Sequence, residues 1–184
     1  MGKNNRIFQS ILLYTVFVFY IIIFLSIIIF KNVSPLELIS GDRYIFRSIN
    51  LIPFHTIKSY LLGTVEVSRS VVFKNVIGNI VLFIPLGIYL QLFKKDKRIL
   101  ANLFGICVVS LSLEFIQYIF AIGASDIDDI LLNCIGGLIG ILLYKLLITL
   151  IRNDNKVRTF ITISSSIIGI PLFGFMILLF ISNM

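Results

Sequence analysis

Three short stretches hold side chains able to do chemistry. Glu114 and Gln117 stand three residues apart in "LEFIQ". Asp126, Asp128, Asp129 and Asn133 fall within "SDIDDILLNCIGG", and Asn75 and Asn79 stand four apart in "NVIGN". Carboxylates in such a group can move a proton, hold a hard divalent cation or, with the carboxamides, hydrogen-bond a polar ligand. No serine-nucleophile motif, glycine-rich phosphate loop or HExxH accompanies them, so no reaction is specified. The single histidine, His55, has no partner motif and reads as a loop residue, not a ligand for a resident metal.

The surroundings of these groups are apolar. Of 184 residues 58% are hydrophobic and 14% charged, and the mean hydropathy is +1.04, outside the range of soluble domains. A hydrocarbon core of ~30 Å needs about 20 apolar residues in a helix. Five runs satisfy this: 7–30, 75–93, 99–122, 127–151 and 157–181. The expected fold is therefore all-α, a single membrane domain over 1–184 with five transmembrane helices. The first run follows Lys3 and Arg6 but is long for a signal peptide and lacks a small-residue cleavage site, which implies an uncleaved anchor. Cys107 and Cys134 lie inside apolar runs without metal spacing, so neither a disulfide framework nor a zinc site is implied.

Net charge of +7 raises nucleic acid as a partner, but the cations cluster beside apolar runs, where they act as orientation signals instead. "KKDKR" at 94–98 links the second and third runs. Arg152, Lys156 and Arg158 flank the link between the fourth and fifth, and the link between the third and fourth has no cation. Putting the basic links in the cytoplasm places the N terminus inside and the C terminus outside. The loop 31–74 then lies outside despite its own cations. It alternates apolar and basic residues, as in "YIFRSINLIPFHTIKSYLLG", and is expected along the outer interface, partly as short amphipathic helix.

This topology gathers the polar residues. Asn75 and Asn79 begin the second span at the outer face and share one side of it. Glu114 lies about 12 Å below that face, at ~1.5 Å per residue, with Gln117 above it. Asp126, Asp129 and Asn133 are expected along one side of the fourth span, while the inner halves read as almost purely aliphatic. An ionisable group at mid-bilayer costs about 2.5–3.5 kcal/mol, so Glu114 should face other helices. The expected partners are Gln117, Asn79, Asn133 or a cation from the loop such as Lys74 or Arg47. The bland alternatives are interhelical hydrogen bonding for Glu114, Asn79 and Asn133, and helix N-terminal capping for Asp126 and Asp128. Gly136 and Gly140 form a GxxxG pair suited to a close helix contact, and Pro85 with Gly87 suggests a kink opening a cavity.

Four segments in order, "NLIPFHTI" (50–57), "NVIGNIVLFIPLG" (75–87), "LEFIQ" (113–117) and "DIDDILLNCIGGLIG" (126–140), resemble the VanZ-like membrane proteins of bacteria. The likeness spans about 50–145 and implies a multi-pass protein of the bacterial cytoplasmic membrane. Founding members of that family lower susceptibility to teicoplanin and related lipoglycopeptides. By position, the polar residues of its motifs fall on Asn50, Asn79, Glu114, Gln117, Asp126, Asp129 and Asn133. The resemblance also implies an arginine just before the acidic segment; "AIGAS" has none, so another cation must take that place if the acids are to be neutralised.

Three readings follow. In the first, Asn50, Asn75, Asn79, Glu114, Gln117, Asp126, Asp128, Asp129 and Asn133 line an outward pocket for an envelope lipid head group or a lipid-linked cell-wall precursor, with Arg47 and Lys74 as anion contacts. In the second, the chain is an enzyme modifying such a lipid. Glu114 would then be the acid or base and Asp129 a metal ligand or orienting group, with a divalent cation as the only cofactor in view. In the third, it is a non-catalytic membrane scaffold or partner subunit.

Overall fold

The computed structural model describes residues 3–31, 37, 48–62, 69–123 and 125–182. Six helices and one two-stranded bridge are described: α1 Lys3–Ile29, β1 Ile49–Asn50, α2 His55–Leu62, α3 Arg69–Phe93, α4 Ile99–Ile119, β2 Ser125–Asp126, α5 Ile127–Ile151 and α6 Asp154–Ser182. Five of these, all but α2, are long and apolar enough to cross a membrane. Among the described residues the fold is thus all-α apart from the parallel pairing of Ile49 with Ser125 and Asn50 with Asp126.

Helix ends follow local chemistry and differ from hydropathy by a few residues. α3 begins six residues before the apolar run, taking in Arg69 and Lys74. α4 stops at Ile119, short of Ile122. Ala121 turns to φ 50°, and Ile122 N–H closes back on the Gln117 carbonyl at 3.0 Å, satisfying one of the orphan carbonyls of the last turn. α6 is capped by Asn153, whose Oδ1 accepts from Lys156 N–H at 3.0 Å. Pro85 stands inside α3 and Pro171 inside α6, and both helices continue through them.

The chain divides into two compact units, 27–145 and 1–26 with 146–184. In the second of these, α1 and α6 run side by side. Gln9 Nε2 donates to Thr159 Oγ1 at 2.7 Å, Arg158 donates to Ser10 Oγ at 3.3 Å, and Phe19 meets Phe173 edge-on at 4.8 Å. Contacts that advance together along both helices mean that the two are parallel, as odd-numbered spans must be.

In the 27–145 unit, α4 buries Asn102, Ile106, Ser110, Leu113, Glu114 and Gln117, one face at three- and four-residue intervals. α5 buries Leu132, Asn133, Gly136, Gly137, Gly140, Ile141 and Tyr144 on a matching face. The seam between α3 and α5 is very close. A Cβ on Gly136 would lie 2.1 Å from the Ile80 carbonyl oxygen, one on Gly140 2.0 Å from that of Ile84, and one on Gly87 2.2 Å from that of Gly137. The GxxxG expectation therefore holds. Gly87, read from sequence as part of a kink, is used instead for this backbone approach, since only a residue without Cβ fits there.

Candidate functional site

At the end of the 27–145 unit where α5 begins, hereafter the acid end, local chain geometry sets the side chains in place. Asp126 precedes α5 as its N-cap, and its Oδ1 accepts from Asp128 N–H at 2.9 Å. Asp126 is consequently off the helix, not on one face with Asp129 and Asn133, and the capping alternative describes it. Its Oδ1 also accepts from Asn50 Nδ2 at 3.2 Å, while Ser125 N–H donates to the Ser48 carbonyl at 3.0 Å.

Asp128 is 1% exposed and caps a different helix. Its Oδ1 accepts from Phe54 N–H at 2.5 Å and its Oδ2 from Ile57 N–H at 3.1 Å, so both oxygens serve the N terminus of α2. Asp129, one residue on, faces α3 and the end of α1. Its Oδ1 accepts from Asn79 Nδ2 at 2.5 Å and its Oδ2 from Lys31 Nζ at 2.6 Å. Glu114 is buried, and its Oε2 accepts from Asp126 N–H at 3.0 Å. Gln117 donates from Nε2 to the Ile28 carbonyl at 2.9 Å, satisfying an acceptor at the end of α1. Asn133, a turn deeper than Asp129, donates to Ser110 Oγ at 2.9 Å.

The polar residues of α3, α4 and α5 therefore converge with Asn50, but through partners other than those expected. Glu114 engages the backbone of the α4–α5 link; Asn79, Gln117 and Asn133 each bond elsewhere. The cation is Lys31, the first of the 31–74 segment, in place of the Lys74 or Arg47 expected, and it pairs with Asp129 and not with Glu114. It stands just past the end of α1, at the level where α5 starts, and supplies a positive charge where the family resemblance called for an arginine. Arg47 lies outside the described residues, and Lys74 is exposed on α3. Two carboxamide oxygens, Asn75 Oδ1 and Asn133 Oδ1, are buried with no hydrogen-bond partner. Each lies four residues from the Asn79–Asp129 bond along its own helix, on opposite sides of it.

A divalent cation fits this donor set poorly. Both oxygens of Asp128 and both of Asp129 already accept from the chain's own donors. Among the described residues no three His, Cys, Asp or Glu side chains are grouped to hold a metal ion.

The opposite end, where "KKDKR" joins α3 to α4, is not the aliphatic region expected. Gln91 is fully buried with neither amide atom bonded. Asn102, also buried, donates to the carbonyls of Asp96 and Arg98 at 2.9 and 3.1 Å. Lys97 Nζ donates to the Gln91 carbonyl and lies 5.1 Å from the centre of the Tyr144 ring. Exposed Arg98 pairs with Asp96 at 2.8 Å.

Five membrane-length helices with a polar cluster closed over one end of three of them define a multi-pass helical membrane protein. A family model described as VanZ/LLP1 matches residues 17–152, and over 127 residues the chain is 34% identical to "Protein VanZ" of Enterococcus faecium, covering 69% of this chain and 70% of that one. The chain belongs to the VanZ/LLP1 family and is a multi-pass bacterial membrane protein. No solved structure matches it.

Proposed function

We propose that the acid end faces the cell exterior and recognises the head group of an envelope lipid or lipid-linked cell-wall precursor, lowering susceptibility to teicoplanin-like lipoglycopeptides. The orientation rests on the cations of 94–98 and 152–158, which belong in the cytoplasm. Labelling of single cysteines, in a background lacking Cys107 and Cys134, should then reach residue 124 from outside and residue 96 from inside.

The observation that carries the recognition reading is the pair of unbonded buried acceptors, Asn75 Oδ1 and Asn133 Oδ1, flanking the Lys31–Asp129 ion pair. Carboxylates and amide oxygens outnumber cations at this end among the described residues. A ligand that completes it brings donors, such as the hydroxyls or amine of a head group, more readily than a bare phosphate. The acids themselves hold the fold, so ligand contact falls to Asn75, Asn133 and Lys31. Lipids that stay with the full chain after gentle purification should be enriched, by mass spectrometry, in one donor-rich head group. The double variant Asn75→Ala, Asn133→Leu should lose both that enrichment and protection against teicoplanin at unchanged expression. Lipid composition matching the bulk membrane, or a double variant that still protects, contradicts the proposal.

A second reading, a non-catalytic membrane scaffold, draws on the same geometry, because the carboxylates are engaged by the chain's own amides. It predicts one stoichiometric crosslinked partner protein and full tolerance of that double variant. An enzyme acting through Glu114 and Asp129 has less support: both Asp129 oxygens are held by Asn79 and Lys31.

A further inference from the structure

Between α1 and α3 the chain makes a turn whose apolar side chains are largely exposed. Ile49, Leu51, Ile52 and Phe54 are 52%, 72%, 64% and 61% exposed, and Pro53 is exposed among them. On the flank of a spanning helix such exposure is ordinary, because acyl chains cover it. This turn is not helical, and irregular backbone facing lipid does not occur within the hydrocarbon region. It therefore belongs either above the bilayer, where Ile49 and the four consecutive apolar residues 51–54 would meet water, or at its boundary.

The turn is also pinned by hydrogen bonds, and one of its residues is strained. Phe54 has φ 62°, a left-handed conformation strongly disfavoured for a bulky side chain. It is held there by Asp128, buried beneath the turn, which takes Phe54 N–H and Ile57 N–H. Asn50 adds a second fastening: its Oδ1 accepts from Ile52 N–H at 3.2 Å and its Nδ2 donates to Asp126. His55 N–H closes on the Ile52 carbonyl at 3.2 Å, and Lys58 N–H on that of Phe54 at 2.8 Å. The backbone amides of the turn are thus largely bonded inside the protein, while its apolar side chains are held outward. Exposed His55 and Lys58 follow at once on α2, where polar groups meet head groups.

We propose that residues 49–54 form an interfacial wedge that inserts into the boundary between head groups and acyl chains of one leaflet. The buried carboxylate of Asp128 sets its angle. The occupant of this surface is the bilayer itself, continuous with the lipid around α3 and α5. The inference does not depend on which leaflet that is, nor on whether a head group is bound specifically at Asn75 and Asn133.

The chain contains no tryptophan, so one introduced residue reports alone. Leu51→Trp would be compared with Lys95→Trp, in the exposed link, and Leu111→Trp, on the exposed flank of α4 in mid-span. Each full-length variant is reconstituted into phosphatidylcholine–phosphatidylglycerol vesicles carrying lipids brominated at defined acyl positions. Leu51→Trp should emit to the blue of Lys95→Trp and lose at least half its intensity to bromines near the ester end of the chain. Leu111→Trp should respond most to the deep ones. Phe54→Trp, a second reporter should Leu51→Trp fold badly, should behave as Leu51→Trp does. Emission and quenching equal to those of Lys95→Trp would place the turn in water and overturn the wedge. Blue emission untouched by any brominated lipid would equally overturn it, since protein, either another part of the chain or a second copy, would then cover the turn.

Discussion

The two ends of the 27–145 unit use polar residues in opposite ways. At the acid end the carboxylates are buried or half-buried, and their partners come from far along the sequence: Lys31 to Asp129, Asn79 to Asp129, Phe54 to Asp128. At the other end the charges of the 94–98 link are exposed and their hydrogen bonds local, Asp96 with Arg98 and Lys97 with the Gln91 carbonyl. The Lys97–Tyr144 ring contact is a long-range exception, and the buried polar groups are the neutral amides Gln91 and Asn102. A desolvated carboxylate must be matched donor by donor, so it fixes the position of whatever supplies the donors. A solvated lysine fixes nothing nearby and serves chiefly to orient the chain in the membrane. One end is thus specified by pairing and the other by field.

Both ends depend on the glycine seam between α3 and α5, and the largest effect should come from breaking it. A side chain at Gly140 would overlap the Ile84 carbonyl, a backbone atom that cannot rotate away. Gly140→Val should therefore exceed the ~1–3 kcal/mol typical of overpacking and abolish the folded protein, read as loss of monodisperse material in detergent. Gly78, also on α3, meets nothing within 4 Å, and Gly78→Ala should melt at or slightly above wild type. Equal behaviour of the two variants would remove the seam from the account.

Next in size is Asp128. Asp128→Ala leaves two amides, of Phe54 and Ile57, without acceptors, at roughly 1–3 kcal/mol for each buried group. The effect should be local, because the clasp joins the 49–57 segment to α5 and does not hold the spans together. Hydrogen exchange at those amides should accelerate at least tenfold in Asp128→Ala and less in Asp128→Asn, which keeps one acceptor. Unchanged exchange in both would mean that the acid end is no more fixed than the basic end.

This division also explains what could be read from the sequence. Five spans, the Gly136–Gly140 contact and the capping role of Asp126 are properties of short windows, so periodicity and spacing reveal them. The Lys31–Asp129 pair joins residues 98 apart, and no local pattern marks it. The only hint is topological: the first cation after α1 must stand at the depth where α5 begins. Asp128 looked like a helix-capping residue and is one, but for α2 and not for the helix it begins. The strand pairing of Ile49–Asn50 with Ser125–Asp126 is two residues long, too short for alternation to signal. Gln91 and Asn102 depart from the aliphatic inner halves that the sequence suggests, because isolated amides form no spacing pattern and the helix ends fold these two inward.

The smallest effect should be at the basic end, and its smallness is what the contrast requires. The Arg98 guanidinium and its backbone N–H, both hydrogen-bonded to Asp96, hold that carboxyl below its ordinary range, so any stabilisation is present above the unfolded pKa and fades as pH falls through the lowered one. Both side chains are exposed, however, and water and salt screen the pair. Asp96→Asn, which keeps an acceptor for the Arg98 amide, should therefore melt with wild type at neutral pH, and the two melting curves should stay together on acidification. Divergence that opens as pH rises through the acid range and stays constant above it would show the link's charges holding α3 to α4. The basic end would then be built by pairing, like the acid end, and its cations could not be read as orientation signals alone.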